Sequence, residues 1–167
     1  MGIRPRIMDD RHSMPTALLR AREAVMAYFR PHHRKGGVTE PQWRVIRALH
    51  LEGEMDATEL AKRSYLLAPS LSRILKDLEA TDHIRRRPGK TDSRQSLVSL
   101  SPKASAMVTR VAPFLDGIHR DIARRFGPER FEALLALLAE LQEALGDGPT
   151  AREAAGRQKP KRRTSRT

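Results

Sequence analysis

The sequence predicts a mostly α-helical fold with a small β-wing, a winged helix-turn-helix carried between N- and C-terminal dimerisation helices. Three observations predict it. Two short amphipathic helical stretches, residues 56–63 and 69–81, follow one another with only residues 64–67 between them, the spacing of a helix-turn-helix. Two β-capable runs, residues 84–87 and 95–100, come next, joined by Pro88-Gly89-Lys90-Thr91-Asp92-Ser93-Arg94, a turn rich in Pro, Gly and Asp. The helical runs on either side of this block carry more large apolar side chains than one small domain can bury.

Composition narrows the function before any motif is weighed. A formal charge of +12 on 167 residues asks for a polyanionic partner, nucleic acid first and a membrane surface second. With no cysteine, disulfides, thiolate metal sites and thiol redox sensing are all excluded. No apolar run approaches a membrane span and the first 14 residues are too polar for a signal peptide, so a cytoplasmic protein is expected. The organisation read from the sequence is a flexible N-terminus (1–14), one folded unit (15–146) and a disordered basic tail (147–167). From Ala151 onward that tail holds seven cations against one acid, Glu153, and so half of the total charge.

The first helix spans residues 16–30, with Leu18, Val25 and Phe29 on one face and Ala21 beside them. Arg22 falls at the centre of that stripe. A guanidinium there needs an anion, because an unpaired buried charge costs several kcal/mol, of order the penalty for losing a buried partner. Two anions are open: a carboxylate from another helix or a partner subunit, and the carboxylate of a bound ligand. Pro31 is expected to end this helix, leaving residues 32–37 as a flexible basic link. Its adjacent histidines, His32 and His33, share no helix face and have no carboxylate or cysteine cluster for company, so no metal is expected there.

Thr39 is placed to cap a second helix, to about residue 52, with Pro41 in its first turn. Trp43, Val45, Ile46 and Leu49 form its apolar side, His50 is read on that side and Arg47 at its edge. An aromatic wall beside a cation and an imidazole can cradle an aromatic acid. An ordinary core tryptophan and a satisfied core histidine would show the same pattern.

Residues 56–63 form a short helix with Asp56 or Thr58 as cap and Leu60 and Ala61 turned inward. After the turn at 64–67, Pro69 can occupy a first helical position that needs no N–H. Leu71, Ile74, Leu75 and Leu78 then recur at i, i+3, i+4 and i+7, which makes one face apolar. The opposite face holds Pro69, Arg73 and Lys76, with Ser70 and Ser72 flanking it. Hydroxyls for phosphates or base edges and an arginine for a bidentate contact to guanine are what a major-groove reader requires. Taken alone, an ordinary surface helix would look alike. The hairpin that follows is cationic, with Arg85, Arg86, Arg87, Lys90 and Arg94, suited to phosphates and to the narrow minor groove. Asp92 stands two residues before Arg94, where its carboxylate could aim the guanidinium.

These residues carry a family resemblance. The series Leu60-Ala61, Pro69-Ser70-Leu71-Ser72-Arg73-Ile74-Leu75, Leu78-Glu79, Ile84-Arg85-Arg86, Asp92-Ser93-Arg94 and Val98-Ser99-Leu100-Ser101 resembles the MarR family of bacterial winged-helix regulators, the Asp-x-Arg wing with its Val-x-Leu-Ser strand end above all. The runs 18–24, 29–31 and 39–47 further resemble the subgroup that includes the homoprotocatechuate-degradation repressor. The likeness spans about residues 14–146. Where the family commonly has Gly at the end of the recognition helix this chain has Asp82, a residue that tolerates a left-handed backbone; Ala104 stands where a Gly often follows the wing strand. The resemblance implies a small aromatic carboxylate bound between dimer helices and winged helix, with Arg22, Trp43, Arg47 and His50 as its residues.

After the wing, Ser101-Pro102 opens a long helix with Met107, Val108, Val111, Phe114, Leu115, Ile118 and Ile122 at helical spacing, which Pro113 should kink or split. Gly127-Pro128 punctuates, and a last helix carries Phe131, Leu134, Leu135, Leu137, Leu138, Leu141 and Leu145. That surplus of leucine points to a second copy of the chain, with internal core as the other explanation.

The expected function is sequence-specific binding of double-stranded DNA by a homodimer on a pseudo-palindromic operator, as a repressor released by an aromatic acid and controlling aromatic-compound catabolism genes. Pro69, Ser70, Ser72, Arg73, Lys76, Arg87, Lys90 and Arg94 are the expected DNA-binding residues. No cofactor and no metal are expected. A non-specific architectural DNA binder would use the same basic surface. An enzyme is the least supported class, since no nucleophile–base pair, metal spacing or Gly-rich phosphate loop stands in the sequence.

Overall fold

Side chains that satisfy otherwise unpaired amides open three of the six helices among the described residues. Thr39 opens its helix with a capping box: the Gln42 amide donates to Thr39 Oγ1 (3.4 Å) while the Thr39 amide donates to Gln42 Oε1 (2.8 Å). Asp56 caps the next helix, its Oδ1 accepting from the amides of Thr58 (2.8 Å) and Glu59 (2.9 Å). Ser101 does the same for the long helix through the Ala104 amide (3.1 Å).

The structure, a computed structural model, describes residues 13–89 and 96–146. The expectations for the first residues, for the loop holding Lys90, Asp92 and Arg94, and for the tail from residue 147 lie outside the described residues. In chain order the elements are α1 (Met14–Lys35), α2 (Glu40–Glu52), β1 (Met55–Asp56), α3 (Ala57–Arg63), α4 (Ala68–Ala80), β2 (Ile84–Pro88), β3 (Ser96–Leu100), α5 (Pro102–Phe126) and α6 (Pro128–Leu145). The chain divides into two compact units, residues 1–122 and 123–167.

In the first unit, β3 is the centre of a three-stranded antiparallel sheet ordered β1-β3-β2. β2 and β3 pair from Ile84 opposite Leu100 to Pro88 opposite Ser96. The sequence predicted these two strands. It did not predict β1, where Met55 and Asp56 pair with Val98 and Leu97; two residues are too few for alternation to be visible. The core lies beneath this sheet: Val45, Ile46 and Leu49 of α2, Leu60 of α3, Leu71, Leu75 and Leu78 of α4, Ile84, Val98 and the α5 residues Met107 and Val108 are all buried together.

Three sequence expectations are corrected. Pro31 does not end the first helix, which runs on to Lys35. A proline costs the ladder one amide and clashes one turn back, but the last turn is held by packing, because His33 is buried and stacks on Trp43 (ring centroids 5.5 Å apart) and Phe29 (6.5 Å). Residues 32–35 are therefore helix, not link. Likewise, Pro113 does not split α5, which is one helix from Pro102 to Phe126. Third, His50 is exposed rather than on the apolar side of α2. The buried set Val45, Ile46, Ala48 and Leu49 is centred near Val45 and Leu49, which at 100° per residue puts Arg47 opposite the core and His50 well round from it.

The second unit contains the end of α5 and all of α6. Arg130 lies over the Phe126 ring (4.8 Å), a cation–π contact across the Gly127 turn, where φ is +99°. No residue of α6 is buried, and Leu134, Leu135, Leu137 and Leu145 are all exposed.

Candidate nucleic-acid interface

The helix α4 is held at both ends and along one side, leaving the other side open. Inward, Leu71, Leu75 and Leu78 are buried and Ile74 packs against the core. Burial of three leucines contributes about 5–9 kcal/mol by transfer bookkeeping, an upper bound, so the helix has one stable rotation about its axis. Outward, Pro69, Ser70, Ser72, Arg73 and Lys76 are all exposed, the face the sequence assigned to them. Ser72 Oγ donates to the Ala68 carbonyl (3.0 Å) and keeps its lone pairs for a partner.

The entry to α4 is fastened from α2. Arg44 Nη1 donates to the Tyr65 carbonyl (3.2 Å) in the turn between α3 and α4, where Tyr65 itself has φ +52°. Burial of Arg44, and secondarily the charge of Arg22, lower its pKa. The exit is fastened from α5. Asp82 takes the left-handed conformation (φ +54°) expected of it. The Asp82 carbonyl accepts from Ser101 Oγ (2.7 Å), and Lys103 Nζ donates to the Thr81 carbonyl (2.7 Å), a cation at a helix C-terminus. The His83 amide donates to Leu78 (2.8 Å) and its carbonyl accepts from Ser101 (3.0 Å). An exposed helix side between two such anchors is preorganised to meet a rigid partner.

The wing is less cationic than its sequence. Glu54 holds Arg87 with both carboxylate oxygens, Nε to Oε2 at 2.7 Å being one of the two bonds, and this pairing raises the pKa of Arg87 further. Arg86 pairs with Glu79 at the end of α4 (3.2 Å). Two of the three arginines at the wing root are thus committed to carboxylates 7 and 33 residues away in sequence, Glu79 and Glu54. Lys90 and Arg94, the expected wing-tip contacts, lie outside the described residues.

The residues expected to hold a ligand are not gathered into one site. Arg22 is not at the centre of a buried stripe: it is exposed and paired with Glu40 of α2 and with Glu23 (2.8 Å), while Arg30 shares Glu23. Of the two anions the sequence left open, a carboxylate of another helix occupies it. Arg47 and His50 are exposed. Trp43 alone faces inward, onto His33. Sequence reading missed what Trp43 belongs to, an aromatic and imidazole cluster of Phe29, His33, Trp43 and His119, with Phe29 and His119 edge to face at 5.1 Å. Beside it, a cavity of about 310 Å³ between α1 and α5 is lined by His32, Lys35, Met107, Arg110, Val111 and Phe114. The i, i+4 spacing of Phe29 and His33 was the available signal, hidden by the expectation that Pro31 stops the helix. Among the described residues no group of three or more His, Asp or Glu side chains is arranged to hold a metal ion.

His33 also makes a prediction about pH. Both of its ring nitrogens are buried without a hydrogen-bond partner. Burial first, and the neighbouring His32 second, push its pKa below the ordinary 6.5. His83 is lowered in the same direction, by burial first and Lys103 second. The unfolded chain then takes up protons near pH 6.5 that the folded chain refuses, so stability is full above that pH and declines as the pH falls through it. Urea unfolding at pH 7.5 and 5.5 checks this, and His33→Phe is expected to flatten the dependence.

Comparison with known proteins adds to this geometry. Residues 36–95, which include α2 through β2, match the profile described as the MarR family. The homoprotocatechuate degradative operon repressor of Escherichia coli is 37% identical over 128 residues, covering 77% of this chain and 86% of that protein. The HTH-type transcriptional regulator FarR of Neisseria gonorrhoeae is 33% identical over 129 residues, covering 77% of this chain and 88% of that protein. Among solved structures, NadR in complex with 4-hydroxyphenylacetate is 31% identical with a TM-score of 0.71, covering 84% of this chain and 97% of that one.

Proposed function

The chain belongs to the MarR family, and on that premise we propose that it is a homodimeric, DNA-binding transcriptional repressor whose release is triggered by a small aromatic acid. The observation that carries the reading is α4: an exposed face of Pro69, Ser70, Ser72, Arg73 and Lys76 held rigid on a buried leucine stripe. A helix so presented fits the major groove, with Arg73 on a guanine and the serines on phosphates or base edges. The wing follows into the flanking minor groove through Lys90 and Arg94. Exposed leucines along α6 supply the surface for a second copy, and two-fold symmetry then calls for two half-sites about one helical turn apart.

The effector class follows from two supports. A relative represses a homoprotocatechuate degradative operon, and a similar structure holds 4-hydroxyphenylacetate. In this chain the Phe29, His33, Trp43 and His119 cluster offers aromatic faces and two unpaired ring nitrogens, and the adjoining cavity offers Lys35 and Arg110. The acid would release DNA by binding preferentially to a dimer whose recognition helices have the wrong separation. Trp43 remains in this reading at its centre; Arg22, Arg47 and His50 stand outside the cluster and would join it only through the dimer. Among the described residues no helix is long and apolar enough to cross a membrane. We place the protein in the cytoplasm, acting as a regulator and not as an enzyme.

The deciding measurement is binding to the DNA upstream of its own gene against random duplex, at two salt concentrations, with and without a panel of phenolic acids. Selective binding abolished by one acid supports the proposal. Unselective binding that collapses with salt supports a second reading, a non-specific architectural protein, which the formal charge of +12 favours. Glu54→Gln gives a further expected outcome. Freed from its carboxylate, Arg87 can neutralise one more phosphate, so the slope of log K against log salt should steepen by up to about 0.9. An unchanged slope would mean that Arg87 does not face the DNA backbone.

A further inference from the structure

Among the described residues the two most exposed large hydrophobic side chains are neither on α1 nor on α6 but in the turn that leads into α4: Leu67, 78% exposed, and Tyr65, 73% exposed. We infer that Leu67, with Tyr65 beside it, is a base-reading element, packing on the C5-methyl of a thymine next to the bases met by the first turn of α4. The inference rests on the reading that α4 enters the major groove.

The backbone of this turn leaves the two side chains little choice. Leu66 between them packs against the core, whereas Tyr65, with a left-handed backbone (φ +52°), and Leu67, with an extended one, are exposed. The turn is tied down by the Tyr65 amide donating to Lys62 (3.1 Å), the Leu66 amide to Ala61 (3.0 Å) and the Leu71 amide to Leu67 (2.9 Å), and by Arg44 on the Tyr65 carbonyl. Leu67 is the last residue before α4, with an extended backbone (φ −71°, ψ 143°), so its side chain is presented at the same helix end as Pro69 and Ser70. Lys62 precedes it, and Arg73 and Lys76 follow on α4, all exposed. Cations around an apolar tip complement a groove whose walls are phosphate and whose floor carries thymine methyl groups.

The thymine methyl can be removed without touching the protein. Duplexes selected by the full-length protein from a randomised pool are remade with each thymine in turn replaced by deoxyuridine, and their affinities are compared for wild type, Leu67→Ala and Tyr65→Ala. Wild type is expected to lose about fourfold in affinity at one thymine per half-site, the loss for one methyl. Leu67→Ala should lose affinity for the thymine duplex by a similar or larger factor and become indifferent to deoxyuridine at that position. The inference is overturned if Leu67→Ala keeps the wild-type thymine pattern, if no thymine matters to wild type, or if the substitution instead shifts the monomer–dimer balance with the pattern intact. Failure of the pool to yield any selective duplex would overturn the DNA-reading proposal itself, and this inference with it.

Discussion

Arg73→Ala is expected to lower discrimination between operator and random duplex by about 5- to 150-fold, the worth of one bidentate arginine–guanine contact. The residue is exposed on the outward side of α4, and among the described residues no ion pair holds it. Its guanidinium therefore needs no release from a carboxylate before it meets a base, in contrast to Arg86 and Arg87. A base contact carries sequence information whereas a phosphate contact carries affinity. The salt slope should accordingly change little in Arg73→Ala, while Arg94→Ala should weaken binding to all duplexes and lower the slope by about 0.9. Competition binding with operator and random duplex at three salt concentrations measures both quantities. Equal specificity ratios for Arg73→Ala and wild type would assign base reading to another residue.

The largest effect on stability is expected from Leu71→Ala, about 2–5 kcal/mol. Leu71 is 2% exposed at the first turn of α4, where it meets a core shared by α2, α3 and the sheet. Truncation there removes three carbons from a place that anchored elements on several sides cannot collapse to fill. Because domains of this size are stable by roughly 5–15 kcal/mol in all, the variant should unfold at a clearly lower urea midpoint with the slope unchanged. It should also loosen the rotation of α4, so DNA selectivity would fall at temperatures where the protein is still folded. A loss below 1 kcal/mol in Leu71→Ala would show that the inward stripe is not what holds the recognition helix.

Much of this architecture could be read locally. The stripe of Leu71, Ile74, Leu75 and Leu78 decides both that α4 is a helix and which side faces out, because one period of 3.6 explains all four. Asp56 and Thr39 announce helix starts through side chains that can accept from the next amides, and Asp82 announces a left-handed stop. The two wing strands were visible for a similar reason, being bounded by a turn of distinctive residues. On α2 the same reasoning put Val45, Ile46 and Leu49 inward, where they are buried, and went astray at His50, which follows Ile46 by one turn but is exposed.

What the sequence by itself determined, then, is the order of the helices and the two wing strands and the outward, cationic face of α4, since each depends on neighbours within about one helical turn. Only the tertiary structure decided that α1 continues through Pro31, that β1 completes the sheet, that Arg22 and Arg87 are paired with Glu40 and Glu54, and that Trp43 stacks on His33. Each of those is a contact between segments distant along the chain or a local cost offset by such a contact. A proline's lost hydrogen bond and an arginine's choice of carboxylate are settled by what packs nearby, and no local period records it.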